Sequence, residues 1–249
     1  MEKLKIRKIA SNFKKLLQIQ YIYLYKFFFL RKILSIEDIY NEDKSFYDET
    51  LHNIKKSGVS DMKYFKNGYD FEGGLLLQQN PYEYAALVTY LKKYNNYKVY
   101  LEIGSASGGS CKFLNDNFNF GKIISLDDGK HPQANHQAEN FKDFKNFTQF
   151  LGDSHSLDAE IFLQKNLIDK IDIAFIDGDH GYEGVKQDLD LVLPYTKEGT
   201  LLIFHDTEPS ASIGVARLWI SAIKNKKIKP IGEFIGKEIP LGIGIAETL

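Results

Sequence analysis

The most informative part of this sequence is the stretch Tyr100-Leu-Glu-Ile-Gly-Ser-Ala-Ser-Gly-Gly-Ser110. A short apolar run leads to Glu102, and a turn with glycines at positions 104, 108 and 109 follows. Glycine permits positive φ values and lets a backbone approach a ligand closely. A strand, a glycine-rich turn and a helix in this order place a cofactor at the carboxyl edge of a parallel sheet. Residue 106 is alanine, so the stretch does not meet the dinucleotide pattern G-x-G-x-x-G.

Length, charge and cysteine content limit the classes of protein to which the chain can belong. Its 249 residues suffice for one α/β domain and an N-terminal extension. The net charge of -1 provides no general attraction to nucleic acid, so no nucleic-acid partner is expected. The single cysteine, Cys111, excludes an internal disulfide and fits a reducing compartment. We therefore expect a cytoplasmic protein.

The N-terminal segment combines basic and aromatic residues. Six lysines and arginines precede the run Tyr21-Ile-Tyr-Leu-Tyr-Lys-Phe-Phe-Phe-Leu30. This run is too short to span a bilayer and contains a lysine, and no small-x-small cleavage site follows it. It predicts either a basic amphipathic helix on an anionic membrane surface or a helix that packs on the domain or on a second subunit. We favour packing of residues 19–34, as part of a homodimer interface, because exposed apolar patches usually mark contact sites.

Strands alternate with helices through the rest of the chain. Asn80-Pro81 predicts a helix start, with Asn80 as the cap and Glu83 as a capping-box acid. The alternation predicts a doubly wound, Rossmann-like α/β sheet of mostly parallel strands that ends in a C-terminal antiparallel hairpin. The parallel strands are expected at Val99–Glu102, Ile123–Asp127, Phe147–Leu151, Ile171–Asp177 and Thr200–His205, and the hairpin strands at Ile228–Phe234 and Ile239–Ala246.

Six motifs in a fixed order carry a family resemblance. They are Gln79-Asn-Pro81, Glu102-Ile-Gly104-Ser-Ala-Ser-Gly108-Gly109, Ser125-Leu-Asp127-Asp128, Gly152-Asp-Ser154, Phe175-Ile-Asp177-Gly-Asp-His180 and His205-Asp206. With them the chain resembles class I S-adenosylmethionine-dependent methyltransferases. It is most similar to the small-molecule and sugar O-methyltransferases of natural-product and surface-polysaccharide pathways. The resemblance begins near Gly73, which implies an N-terminal helical extension over residues 1–72 and a methyltransferase domain over residues 73–249.

The resemblance implies S-adenosylmethionine as the cofactor. Asp127 follows Gly104 by 23 residues and ends the second strand, where a carboxylate can accept hydrogen bonds from both ribose hydroxyls. Asp128 beside it could do the same. Glu102 would neutralise the methionine ammonium, and in relatives the segment after the third strand contacts adenine, which favours Ser154. The full set of expected cofactor-binding residues is Gln79, Glu102, Gly104, Ser105, Gly108, Asp127, Asp128, Ser154 and Asp177.

The reacting end of the site, where the methyl group is transferred, is expected at the carboxyl ends of the fourth and fifth strands. Methyl transfer to a hydroxyl requires either a cation that acidifies the hydroxyl or a general base that removes its proton. One interpretation is a magnesium or manganese site at Asp177, His205 and Asp206. Imidazole is a poor magnesium ligand and suits manganese better.

The rival interpretation makes His180 the general base. Asp179 or Asp206 would orient it, so the expected catalytic set is His180, Asp179 and His205. Asp179 could instead only cap the helix that follows it. We lean toward the metal, because two strand-end acids are costly to place together without a cation between them.

These features predict an S-adenosylmethionine-dependent O-methyltransferase for a polar small molecule. The expected acceptor is a sugar or surface-polysaccharide (capsule) precursor, and phosphorylated or phosphoramidate-type precursors are equally compatible. Two alternatives stay open. A nucleotide-dependent oxidoreductase is disfavoured by Ala106 and the C-terminal hairpin, so NAD is not expected as a cofactor. A non-catalytic cofactor-binding scaffold would be expected to lose its acidic and histidine positions, which this chain retains.

Overall fold

A computed structural model describes residues 2–57, 77–94, 96–134, 137–237 and 239–249, with the side chains of residues 2–9 and 138 excepted. The helices are α1 (Glu2–Tyr25), α2 (Ile36–Glu42), α3 (Lys44–Lys56), α4 (Pro81–Leu91), α5 (Gly109–Phe118), α6 (Gln137–Phe141), α7 (Leu157–Asn166), α8 (Tyr182–Val192) and α9 (Ile213–Lys224). A π-helix, Lys26–Leu30, continues α1, and a 3₁₀ turn, Leu193–Tyr195, continues α8. The strands are β1 (Val99–Ile103), β2 (Lys122–Asp127), β3 (Phe147–Leu151), β4 (Ile171–Ile176), β5 (Thr196–His205), β6 (Ile228–Phe234) and β7 (Ile243–Thr248).

In the described part of the chain, seven strands form one sheet in the order β3-β2-β1-β4-β5-β7-β6. The first five strands are parallel, and β7 runs antiparallel between β5 and β6. This arrangement confirms the predicted fold class. The strand order reverses between β1 and β4, and in such sheets ligands bind outside the carboxyl ends of the strands at that point.

Strand β2 begins one residue earlier than predicted, and two other strands begin four residues away from their predicted starts. Strand β5 begins at Thr196, because a left-handed Gly199 with φ of 79° lets the preceding polar residues join the sheet through an irregular pairing with β4. Strand β7 begins at Ile243, because the backbone N–H groups of Leu241 and Gly242 donate to the carboxylate of Glu83 at 3.0 and 2.9 Å. These two amides are therefore unavailable to the sheet.

Helices cover both faces of the sheet. Side chains alternate across β1, so that Tyr100 is buried in one apolar cluster and Leu101 in the other. Trp219 of α9 belongs to the cluster of Leu101, and Leu87 of α4 belongs to the cluster of Tyr100. Because both faces are covered, every residue of β1 is buried.

The N-terminal segment packs on the domain through one side. Ile22 and Leu30 are buried in the apolar cluster that contains Trp219. Between them, Nζ of Lys26 donates to the carbonyl oxygen of Thr207 at 2.8 Å and pairs with a carboxylate oxygen of Glu233 at 2.6 Å. The predicted boundary between residues 72 and 73 lies outside the described residues, and the homodimer stays a prediction. None of the helices that the structure describes is both long and apolar enough to cross a bilayer.

Glu83 does not act as the predicted capping-box acid. Asn80 caps α4 as predicted, by accepting hydrogen bonds from the backbone N–H groups of Tyr82 and Glu83. The Glu83 carboxylate instead accepts from the backbone N–H of Gly236, at 2.7 Å, and from the two amides named above. Burial raises the pKa of Glu83 to about 7. Helix α4 thereby holds the β6–β7 loop, whose Leu241 reaches the wall of the cleft described below.

Candidate active site

A cleft of about 1070 Å³ opens at the carboxyl edge of the sheet. Each strand from β1 to β5 contributes residues to the wall of the cleft. These residues end the strand or follow it. Of the site residues expected from the sequence, all but Glu102 and Gly108 line it. The lining comprises residues 78–79, 103–107, 109–110, 126–128, 130–132, 152–155, 177–180, 205–206 and 241.

The turn after β1 touches the end of β4. Gly104 has a φ of 83°, and a Cβ at this position would overlap the carbonyl oxygen of Asp177. Its N–H donates to the carbonyl oxygen of Leu126 at 2.8 Å, which ties the turn to β2 as well. Glycine is therefore required at position 104 both for its backbone conformation and for the close approach of two strand ends.

Asp127 holds the glycine-rich turn with both carboxylate oxygens. Oδ2 accepts from the N–H of Ala106 at 2.8 Å, and Oδ1 accepts from the N–H of Gly129 at 2.7 Å. The residue is buried but lines the cleft. Each carboxylate oxygen has a second lone pair. Asp127 can therefore bind a ligand hydroxyl while it keeps the turn in place.

Ser105 and Gly108 also hold the glycine-rich turn in its conformation. The Ser105 hydroxyl shares a hydrogen bond of 2.6 Å with the Ser125 hydroxyl and accepts from Nε2 of Gln137 at 3.0 Å. Gly108 has a φ of 75°, and a Cβ there would overlap the ring of Phe141. Ser105 lines the cleft, whereas Gly108 supports it as the residue before α5.

Glu102 lies beneath the cleft wall, not on it. Its carboxylate accepts a hydrogen bond of 2.5 Å from the Tyr100 hydroxyl and another from the Ser110 hydroxyl. Burial raises the pKa of Glu102 to about 7. The structure therefore does not place this carboxylate where it would meet the methionine ammonium directly. It holds Ser110, which does line the cleft.

The loops after β2 and β3 place Asp128 and Ser154 on the wall in different ways. Asp128 is exposed and pairs with Nζ of Lys130 at 2.7 Å. Ser154 donates to Oδ1 of the buried Asp188 at 2.7 Å, and Nε2 of His155 lies 3.1 Å from the same oxygen. Asp188 of α8 thus fixes the segment that the resemblance assigns to adenine.

The end of β4 and the end of β5 meet through Asp177 and His205. Nδ1 of His205 donates to Oδ1 of Asp177 at 3.0 Å, because a carboxylate can only accept. Nε2 of Gln79 donates to the other carboxylate oxygen at 3.1 Å. Oε1 of Gln79 and Nε2 of His205 are buried and have no hydrogen-bond partner among the described residues. Buried polar atoms of this kind usually find a partner, so both are ready to bond a ligand in the cleft.

A group of convergent possible ligand atoms includes His180, whereas the sequence predicted His205. One ligand atom from each of Asp177, His180 and Asp206 lies within 4.8 Å of the other two. Nε2 of His180 is 3.3 Å from Oδ2 of Asp206 and 3.8 Å from Oδ1 of Asp177. His205 is buried, and its Nδ1 bonds Oδ1 of Asp177 and lies 3.4 Å from Oδ1 of Asp206. We name Asp177, His180 and Asp206 the carboxylate–histidine cluster.

The charges of the cluster depend on one another. Burial alone would raise the pKa of Asp177, but the imidazoles of His205 and His180 bring it below its usual range. Burial alone would lower the pKa of His205, but Asp177 and Asp206 raise it to about 10. The pKa of His180 is raised, first by Asp177. His205 therefore holds a proton at neutral pH, and the two carboxylates favour the protonated form of His180 as well.

Asp179 does not orient His180. Its Oδ1 accepts from the N–H of Gly181 at 2.5 Å, and its carboxyl group lies over Gly184 at the start of α8. The carboxylate oxygen nearest to His180 belongs to Asp206, the alternative that the sequence left open. Asp179 does not cap α8 either, because the N-cap residue is Gly181 and no side chain caps this helix; Asp179 instead holds the turn before α8 and lines the cleft.

Two supporting acids, Asp188 and Glu83, are absent from the expected set. Asp188 lies on the helical stripe that Val185 and Leu189 form, and Glu83 precedes the buried Leu87 by one turn. A carboxylate on an apolar stripe must be buried and therefore needs several donors. That signal is visible in the sequence, but it does not reveal which loop supplies the donors.

Comparison with known proteins adds a family match. Residues 101–207, from β1 to the residue after Asp206, match a family described as a methyltransferase domain. A stretch of 112 residues is 31% identical to uncharacterized protein R132 of Acanthamoeba polyphaga mimivirus. This stretch covers 43% of the present chain and 50% of that protein, so the chain spans about half the length of the relative it matches.

Solved structures share the fold. An O-methyltransferase from Bacillus cereus in complex with S-adenosylhomocysteine is 16% identical, with 86% of this chain and 100% of that chain covered and a TM-score of 0.57. The O-methyltransferase TomG from Streptomyces achromogenes, in complex with S-adenosylmethionine, is 15% identical, with 83% and 98% covered and a TM-score of 0.58. The family model thus matches a methyltransferase domain over residues 101–207, and the solved structures show the same fold.

Proposed function

We propose that this protein is an S-adenosylmethionine-dependent O-methyltransferase whose acceptor is a polar, hydroxyl-bearing small molecule of the sugar or surface-polysaccharide precursor class. The observation that carries the proposal is the carboxylate–histidine cluster at the ends of β4 and β5, in one cleft with the glycine-rich turn and Asp127. One end of the cleft would bind a nucleoside, and the other end would acidify or deprotonate a hydroxyl group.

The nucleoside part of the cofactor would lie at the carboxyl ends of β1 to β3. The free lone pairs of Asp127 would accept from the ribose hydroxyls, and the segment that holds Ser154 would border the adenine. The orphaned Oε1 of Gln79 is a buried acceptor close to Asp177, which suits a positively charged or N–H donor. We assign the methionine ammonium to this place, since Glu102 lies beneath the wall.

The composition of the wall favours a polar acceptor. Among the described residues that line the cleft, none is Phe, Tyr or Trp. A flat aromatic acceptor would gain most from stacking on such rings. Acidic and imidazole side chains instead surround the reacting end, and these groups hydrogen-bond or acidify hydroxyls. An acceptor with several hydroxyl groups therefore fits better than a catechol-like one.

The donor set of the carboxylate–histidine cluster fits a divalent cation that accepts imidazole, such as manganese, better than it fits magnesium. Asp177, His180 and Asp206 would hold the cation. When bound, it would supply a Lewis acid that acidifies and orients the acceptor hydroxyl. Gln79 and His205 would keep the Asp177 carboxylate in position through the two hydrogen bonds described above.

Calorimetry and a transfer assay test the proposal separately. The full chain should bind S-adenosylhomocysteine and should give no signal with NAD. With labelled S-adenosylmethionine, methyl transfer is expected to free sugars or sugar phosphates and not to catechols. Binding of NAD without binding of S-adenosylhomocysteine would overturn the cofactor assignment. Transfer to catechols alone would leave the cofactor assignment intact and overturn the acceptor class.

A further inference from the structure

The N-terminal segment presents three consecutive phenylalanines to solvent. Phe27, Phe28 and Phe29 are 65%, 63% and 70% exposed. They lie in the π-helix, whose wider turn directs Lys26 and Leu30 toward the domain and the three rings between them away from it. Burying a phenylalanine side chain is worth roughly 1.5–3 kcal/mol, so leaving three together in water is costly.

The exposed apolar surface continues along α1. Phe13, Leu17 and Leu24 recur at helical spacing on one side, opposite the buried Ile22, and all three are about half exposed or more. We call this surface the outer face. It spans roughly 24 Å, from a rise of about 1.5 Å per residue. Its large exposed side chains are Phe13, Leu16, Leu17, Tyr21, Leu24, Phe27, Phe28 and Phe29.

The outer face belongs to a strongly basic segment. Residues 3–36 contain nine lysines and arginines and no acid. The net charge of the whole chain is -1, so the nine positive charges of this segment are balanced by -10 on the rest. In a symmetric dimer the same surface meets its own copy, which would bring two such segments together. A second copy of the chain is therefore a poor occupant, and a negatively charged one is a good occupant.

A basic groove of about 420 Å³ adjoins the outer face. It lies between α1 and the helices α8 and α9, and Lys14, Arg217 and Lys224 line it. No carboxylate is among its described lining residues. Phosphate groups are ligands that neighbouring lysine and arginine side chains bind well.

We propose that the outer face and the basic groove dock this protein on an anionic phospholipid bilayer. The aromatic and leucine side chains enter the headgroup region, where amphipathic helices with basic polar sides bind. Lys14, Arg217 and Lys224 bind lipid phosphates beside them, and each basic residue near such a surface adds about 1 kcal/mol. The helix lies along the surface and does not cross it.

The docking helix is a fixed part of the domain and not a loose tail. Nζ of Lys26 bonds the carbonyl oxygen of Thr207, and the Tyr23 hydroxyl donates to Glu208. Both partners directly follow Asp206 of the carboxylate–histidine cluster. The lipid-facing surface and the reacting end of the cleft are thus joined through two residues of one segment.

Co-sedimentation with vesicles tests the proposal on the full chain. The protein should bind vesicles that contain phosphatidylglycerol, bind vesicles of pure phosphatidylcholine far more weakly, and dissociate as salt rises. The variant Lys14→Gln/Arg217→Gln/Lys224→Gln should bind about fivefold more weakly per charge removed, on the order of a hundredfold in all. The variant Phe27→Ser/Phe28→Ser/Phe29→Ser should lose binding to both kinds of vesicle.

A matched control removes equal exposed apolar surface elsewhere. Leu157, Ile161 and Ile168 are 68%, 51% and 90% exposed on or beside α7. The variant Leu157→Ser/Ile161→Ser/Ile168→Ser should bind vesicles like the unaltered protein, and circular dichroism should show that all variants are folded. Equal binding to both vesicle types would overturn the proposal. So would a protein that binds no vesicle but forms a dimer, if the phenylalanine variant converts that dimer to a monomer.

Discussion

The backbone of Gly104 lies so close to the carbonyl oxygen of Asp177 that no Cβ fits between them. This contact joins the cofactor turn to the reacting end of the cleft. Gly104→Ala should therefore destabilise the protein by about 2–5 kcal/mol, from the left-handed backbone and from overlap with the neighbouring strand. Denaturant unfolding measures this loss.

Gly199→Ala is the matched control for Gly104→Ala. Gly199 has a similar φ of 79°, but a Cβ there would meet no atom within 4 Å. It should cost only the conformational part, about 1–2 kcal/mol. Equal losses for the two variants would show that the contact with Asp177 contributes nothing.

The parallel strands could be predicted from the sequence, because a sheet covered on both faces requires continuous apolar runs. Strands β1, β2 and β4 accordingly begin and end within one residue of their predicted bounds, and the half-buried edge strand β3 matches its predicted bounds as well. The start of β7 could not be predicted in this way, because it depends on the amides that Glu83 takes from a distant loop. The residue order does not encode such long-range hydrogen bonds directly.

The cleft was also predictable in part. Motif positions located Asp127, Asp177 and Asp206, because the carboxyl ends of parallel strands must share one edge. The choice between His180 and His205 was not predictable. Each follows or ends a strand, and both imidazoles lie close to both carboxylates. Which of them shares a group of convergent ligand atoms with the two acids depends on side-chain packing that spacing does not determine.

Glu102→Gln should stabilise the protein above neutral pH. Because burial raises the pKa of Glu102 from 4.5 to about 7, the folded state binds a proton that the unfolded state releases between these values. Stability from this group is present below pH 4.5 and is lost as the pH rises through 7. Glutamine keeps the neutral form, so the variant should match the unaltered protein at pH 4 and exceed it by about 3 kcal/mol at pH 8.

The same variant tests the place of Glu102 in the site. Since the carboxylate lies beneath the wall, Glu102→Gln should change the affinity for S-adenosylhomocysteine by less than about threefold, well under the value of a lost charged hydrogen bond. A tenfold loss of affinity in calorimetry would instead support a direct contact between Glu102 and the methionine ammonium.

Asp127→Ala should weaken binding of S-adenosylhomocysteine by about 1.5–3 kcal/mol, the range for lost hydrogen bonds to a charged group. The variant also deprives the amides of Ala106 and Gly129 of their acceptor. Asp128→Ala is the control, because its carboxylate is exposed and pairs with Lys130, and such pairs contribute little. If only the Asp128 variant binds weakly in calorimetry, the ribose role belongs to Asp128.

The last prediction concerns the carboxylate–histidine cluster. Because Asp177, His180 and Asp206 converge, we expect EDTA to abolish methyl transfer and manganese to restore it better than magnesium. Asp206→Asn should lower turnover on the order of a hundredfold or more and abolish the heat of manganese binding, while S-adenosylhomocysteine still binds. Asparagine suits this position, since residue 206 has a φ of 59°, where asparagine is well tolerated.

A control variant and a chelator experiment distinguish the cation site from the rival mechanism, in which His180 is the general base. Asp179→Asn should keep manganese binding, because the new amide oxygen can still accept from Gly181 and the residue lies outside the cluster. If His180 is instead the general base, EDTA should leave the rate unchanged and His180→Ala should slow transfer by about 10²–10⁴. The raised pKa of His180 does not separate the two mechanisms, because the imidazole must lose its proton either to bind a cation or to act as a base. Full turnover by metal-free enzyme in EDTA would contradict the cation site and leave His180 as the base.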